Sequence, residues 1–147
     1  MKNILIVDGQ GGRIGRALAE RLAAKLDPEN PAFSLTVAGS NAMATANMLK
    51  GAASLKGATG ENAVVVCARR ADVIVGPVGI IIADAMLGEI TSAMATAVSS
   101  SDARRVHIPK NRTQCENYVV REKENNLNAL LDEAAEVAAR YAEDDGA

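Results

Sequence analysis

The feature that most constrains this chain stands at its start. An uninterrupted apolar run, Ile4-Leu5-Ile6-Val7, stops at Asp8 and passes straight into Gly9-Gln10-Gly11-Gly12-Arg13-Ile14-Gly15. A run that is apolar at every position has no face to offer water, so it predicts a strand over residues 3–7 buried on both sides, as in a parallel sheet. Behind it Ile14, Leu18, Leu22 and Leu26 recur at steps of four and predict an amphipathic helix over residues 12–26. Glycines between the two let the chain turn sharply and bring backbone N–H groups close to an anion, and the helix N-terminus adds partial positive charge. Gly9, Gln10, Gly11, Gly12, Arg13, Ile14 and Gly15 are therefore candidates for cradling a phosphate, with Arg13 beside it and Gly15 allowing close packing of the helix. A tight turn with no ligand would use the same glycines and stands as the alternative.

The rest of the chain repeats the alternation. Strands are expected at residues 33–38, 72–75 and 104–108, with a short fifth at 117–120. Helices are expected at 41–50, 90–99 and over the terminal segment, where Leu127, Leu130, Leu131, Ala134, Val137, Ala138 and Tyr141 share one face. Residues 61–71 are ambiguous: Val64-Val65-Val66 favours a strand, but Ala68-Arg69-Arg70-Ala71 lacks hairpin chemistry, so a helix ending near Arg70 is preferred. Residues 51–60, rich in Gly, Ala and Lys, read as a mobile or ligand-contacting loop, and residues 78–87 as a loop entering a buried helical segment. The order predicts one α/β domain of three layers, helices on both faces of a mostly parallel sheet of about five strands. Ligands of such sheets lie at the carboxyl ends of the strands, which directs attention to residues 8–15, 39–41, 76–79 and 109–115.

Composition narrows the function classes. With 147 residues and 48% hydrophobic content, one folded domain is expected. Aromatics are 2% and the formal net charge is −2, which argues against nucleic acid as a partner. That near-neutral sum hides a partition: residues 1–121 carry 14 basic and 10 acidic groups, residues 122–147 carry 2 and 8. A mildly basic body suits a small phosphate-bearing ligand. Cys67, Cys115 and a single histidine, His107, make neither a disulfide framework nor a metal set, so no metal site is expected. The first apolar run is too short for a secretory signal, and the longest stretch, residues 73–83, is broken by Gly76, Pro77 and Gly79. A cytoplasmic protein without membrane attachment is the expectation. The apolar segment over residues 78–97 reads as core or as a homodimer interface.

Beyond the first turn, candidate residues are fewer. Strand two ends in Gly39-Ser40-Asn41, where an NAD-binding protein often carries a carboxylate for the ribose hydroxyls. Ser40 and Asn41 instead suit a 2′-phosphate, placing NADP(H) ahead of NAD(H), or simply cap the next helix. Gly76, Pro77 and Gly79 would line the adenosine side with backbone. Glu61 is the weak candidate for acid–base chemistry, although a glutamate in a first helical turn usually serves the dipole. Glu89 is a lone carboxylate beside an apolar stretch, Lys110 and Arg112 could pair with phosphate, and His107, between Val106 and Ile108, reads as structural. No P-loop pattern is present.

The glycine spacing through Gly9, Gly12 and Gly15 is G-x-x-G-x-x-G, which resembles that of short-chain dehydrogenases and reductases. The catalytic Tyr-x-x-x-Lys of those enzymes is absent: Tyr118 is followed four residues on by Glu122, and Tyr141 by Asp145. Taken together, the segments from Asp8 to Gly15, Ser40 to Thr45, Gly57 to Ala63, Gly76 to Ile81 and Gly88 to Thr91 resemble a small bacterial family described only as a domain of unknown function. The resemblance runs over residues 1–121, implies a short Rossmann-like protein and points to the loops at 57–63 and 76–91 as functional. It supplies no reaction, so an oxidoreductase and a non-catalytic nucleotide sensor or interaction module both remain open.

Overall fold

In the computed structural model the described residues are 1–27, 29–109 and 126–144. Five strands form one sheet, all parallel: β1 (Lys2–Asp8), β2 (Phe33–Gly39), β3 (Lys56–Thr59), β4 (Val73–Pro77) and β5 (Arg104–Ile108). Their spatial order is β3-β2-β1-β4-β5. The chain winds outward from β1 to β3, then returns to the other side of β1 for β4, so the switch point lies between β1 and β4.

Five helices cover the two faces: α1 (Arg13–Lys25), α2 (Ala42–Leu49), α3 (Glu61–Arg70), α4 (Ser92–Ser99) and α5 (Leu127–Glu143). The period of two divides the central strands between two cores. Ile4 and Ile6 of β1 pack with Leu18 and Leu22 of α1, Met48 of α2 and Ala135 and Ala138 of α5. Leu5 and Val7 pack on the opposite face with Val64 and Ala68 of α3 and Met94 and Val98 of α4. This is the expected three-layer, Rossmann-like α/β fold.

Several local expectations are corrected. Residues 56–59 are not part of a loop but the edge strand β3, paired in register from Thr36 with Lys56 to Gly39 with Thr59. Backbone pairing holds this segment where side-chain propensity gives no sign of a strand, and Gly57 leaves room for Leu49, whose side-chain carbons lie 2.9–3.1 Å from where a Cβ would stand. The segment at 72–75 is consequently the fourth strand, and it extends to Pro77. The expected strand at 117–120 lies outside the described residues. Residues 78–87 hold no α-helix: a 3-10 turn over Val78–Ile81 gives way to tight turns. Much of the apolar stretch over residues 78–97 is core, with Ile80, Ala85, Met86, Ile90, Met94 and Ala95 buried, while Leu87 is exposed.

The ambiguous valines are helical. In α3 Val64 and Ala68 turn inward at helical spacing, Glu61 opens the first turn, and Arg69 and Arg70 close the last, each charge on the side the dipole favours. Tertiary placement on the sheet overrides β-propensity here. No helix among the described residues is long and apolar enough to cross a membrane.

Candidate functional site

The turn after β1 is held first by its own aspartate. Asp8 is 4% exposed. Its Oδ1 accepts from the Gly9 amide at 2.8 Å and its Oδ2 from the Gly15 amide at 2.8 Å. Gly12, the residue before α1, has no side chain with which to cap, and the first turn holds no acid. The carboxylate at the strand end supplies both functions, answering one orphan amide and the positive pole of the helix. Gly12 has φ +71°, and a Cβ there would meet the backbone of Ala44 at 2.6–3.1 Å. Left-handed conformation and close approach of α2 both require glycine at this position. Gly15 is packed against Met48 of α2 and against Asp8, so its role is close helix–helix contact rather than the expected contact with the sheet alone.

The α2 side clamps the turn. Asn41 caps α2 by accepting from the Ala44 amide at 2.8 Å, and its Nδ2 donates to the Gln10 carbonyl at 2.9 Å. Asn47 donates to the Gly11 carbonyl at 2.9 Å. The Ser40 amide donates to the Asp8 carbonyl at 3.0 Å. Thr45, buried beneath, bonds the Ala58 carbonyl and accepts from Thr59, tying α2 to β3.

The third contributor comes from far along the chain. Glu89, in the loop after β4, places Oε1 at the turn, where it accepts from the Gln10 amide at 2.9 Å, Ser40 Oγ at 2.6 Å and Asn41 Nδ2 at 2.7 Å. Burial pushes its carboxyl up, but the three hydrogen bonds outweigh burial and hold it below the usual glutamate range. Beside it Met86 lies over the first glycine: a Cβ on Gly9 would stand 2.6 Å from Met86 Sδ, 2.6 Å from Ser40 Oγ and 3.2 Å from Glu89 Oε1. Three residues other than glycine in this loop are left-handed, Asp84, Met86 and Leu87, at φ 67°, 59° and 57°.

What remains is a cleft of about 380 Å³ lined by residues 8–14 and Met86. Among the described residues the amides of Gly11, Arg13 and Ile14 have no acceptor. Gly11 is open, with nothing within 4 Å of where a Cβ would point. Three unpaired amides at and just before the N-terminus of a 13-residue helix offer a set of donors to an oxyanion, beside the Asp8 carboxylate that also lines the cleft. A larger groove of about 550 Å³ runs between α3 and α4, lined by Arg69, Ser92, Thr96, Ser100, Ser101 and Asp102 among others, and it lies away from the turn after β1.

The expected site residues divide accordingly. Residues 9–14 line the cleft, whereas Ser40 and Asn41 do not: both donate to Glu89 Oε1, which also accepts from the Gln10 amide behind the cleft lining. Gly76, Pro77 and Gly79 do not line it: they are buried, Gly76 against the Val7 carbonyl and Gly79 against Ala85 and Met86, so the loop above them faces the cleft in their place. Glu61 is exposed beyond β3, two strands from β1, and takes no part in the turn. His107 sits on the edge strand β5, and burial together with Arg105 lowers its pKa. Lys110, Arg112 and Cys115 lie outside the described residues. No group of three metal-ligating side chains occurs among the described residues. Glu89 is the residue whose importance sequence reasoning missed. Its only local sign was a carboxylate following a glycine at the end of an apolar stretch.

The comparison with curated proteins finds no match. A family model matches residues 3–143, nearly the whole chain, and the protein belongs to that family, described as domain of unknown function DUF3842.

Proposed function

We propose that this protein binds a nucleotide, of the nicotinamide dinucleotide class (NAD(H) or NADP(H)), with its phosphates on the turn after β1. The observation that carries this reading is the set of three unpaired amides, Gly11, Arg13 and Ile14, at the mouth of a cleft beside the switch point of the sheet. The likeness of the G-x-x-G-x-x-G spacing to that of short-chain dehydrogenases and reductases supports it, as does the basic balance of residues 1–121. Arg13, exposed at the rim, adds a cation on the side from which a phosphate would enter.

Binding without turnover is the second reading, and one observation favours it. Both carboxylates at the turn are engaged: Asp8 with two amides in a buried position, Glu89 with three donors that lower its pKa and make it a poor base.

A titration series with NAD⁺, NADP⁺, AMP, ATP and GTP, followed by thermal shift and calorimetry, tests the proposal. Saturable stabilisation by at least one of them is expected. Gly11→Asp sharpens it, because the new side chain enters open space and leaves the unliganded protein as stable as before. A negative charge in the cleft should weaken nucleotide binding at least tenfold. Binding unaffected by Gly11→Asp contradicts the placement, and absence of binding by every nucleotide contradicts the function.

A further inference from the structure

We infer that Glu89 is the specificity-determining residue of the proposed site, a ribose-hydroxyl acceptor that selects nucleotides with a free 2′-hydroxyl and rejects those with a 2′-phosphate. The inference rests on the nucleotide reading above and reverses the preference for NADP(H) that Ser40 and Asn41 suggest in the sequence.

Donors and charge decide the preference. A 2′-phosphate needs hydrogen-bond donors, preferably cationic ones. Ser40 has one hydroxyl proton, and it goes to Glu89 Oε1. Asn41 has two amide protons, which go to Glu89 Oε1 and the Gln10 carbonyl. The small polar pair at the end of β2 therefore has no side-chain donor left for a phosphate. All three partners of Oε1 are neutral, so among the described residues bonded to it none cancels the carboxylate charge. A phosphate dianion placed there meets a like charge.

The same geometry suits hydroxyls. Oε1 is saturated by three short bonds, which fix the carboxylate in place, while Oε2 has no partner among the described residues. A fixed carboxylate with a free oxygen accepts from an O–H donor and can only repel another acceptor. Its position is apt: the carboxylate lies over Gly9, beside the end of β2, where a nucleotide with its phosphates on α1 would extend its ribose. The carboxylate that the end of β2 lacks is thus delivered 49 residues later in the chain, from the loop after β4.

Paired affinities of NAD⁺ and NADP⁺, and of ATP and 2′-deoxy-ATP, for the wild-type protein and Glu89→Gln provide the test. Glu89→Gln keeps an acceptor for Ser40, Asn41 and the Gln10 amide while removing the charge. Wild type should bind NAD⁺ at least tenfold tighter than NADP⁺ and ATP at least threefold tighter than 2′-deoxy-ATP. In Glu89→Gln the NAD⁺ preference should fall below threefold. Equal or stronger binding of NADP⁺ by wild type overturns the inference and leaves nucleotide binding intact. So does a preference that Glu89→Gln leaves unchanged. No binding of any of the four ligands overturns the nucleotide reading and this inference with it.

Discussion

The turn after β1 and the loop after β4 meet over Gly9, and they are built in opposite ways. The first is short, and its aspartate bonds close by in sequence: Asp8 reaches one and seven residues ahead, to Gly9 and Gly15. The second is long, carries three left-handed residues other than glycine, and reaches the turn through one carboxylate whose partners lie 48 to 79 residues away. A buried carboxylate on backbone amides at a helix end is a structural necessity of the first turn. A half-exposed carboxylate on three donors is a contact that the fold can lose. The contrast separates what makes the site from what tunes it.

Changes in the first turn should cost most. Gly12→Val forces a β-branched residue to φ +71° and drives its Cβ into the Ala44 backbone. A loss of about 3 kcal/mol or more is expected in urea denaturation. A loss below about 1 kcal/mol would mean that α2 yields easily. Asp8→Ala leaves the buried Gly9 and Gly15 amides without their acceptor and should cost about 2–3 kcal/mol.

Glu89→Gln should cost less, about 1 kcal/mol, because its site is partly open to water. Hydrogen exchange would show the distinction directly. The Gln10 amide should exchange faster in Glu89→Ala, while the Gly15 amide, held by Asp8, keeps its protection. Equal loosening of both would erase the contrast between the two regions. The pH dependence has a definite sign. Glu89 has a folded pKa below its unfolded value, so its contribution is complete above about pH 4.3 and is lost as pH falls through the lower folded value. The stability difference between wild type and Glu89→Gln should therefore shrink on acidification; growth would contradict the assignment.

The smallest expected effect is a gain. Leu87 is 77% exposed at φ 57°. Leu87→Gly should stabilise the protein by up to about 0.5–1 kcal/mol by relieving a left-handed leucine. Destabilisation would show that Leu87 has a packing role its exposure does not reveal.

What could be read from the sequence follows the same division. β1, the turn and α1 are legible because their determinants are neighbours: an apolar run, glycines, then a four-residue period. The terminal helix is legible for the same reason, and α5 starts at Leu127 behind the Asn126 cap. The strand Lys56–Thr59 is not, since Lys, Gly, Ala and Thr gain their extended state only from pairing with β2. Glu89 is not, since nothing around it in sequence points to Gln10, Ser40 and Asn41. Gly76 is ambiguous in the opposite sense, because a glycine needed for close packing, here against the Val7 carbonyl, reads the same as one that faces a ligand.

The most direct test of the account is an amide-resolved NMR titration with NAD⁺. Saturable shifts of the Gly11, Arg13 and Ile14 amides, with the Gly15 amide least affected among the turn residues, are the predicted result. Unmoved amides at the turn, or shifts confined to the groove between α3 and α4, would contradict it.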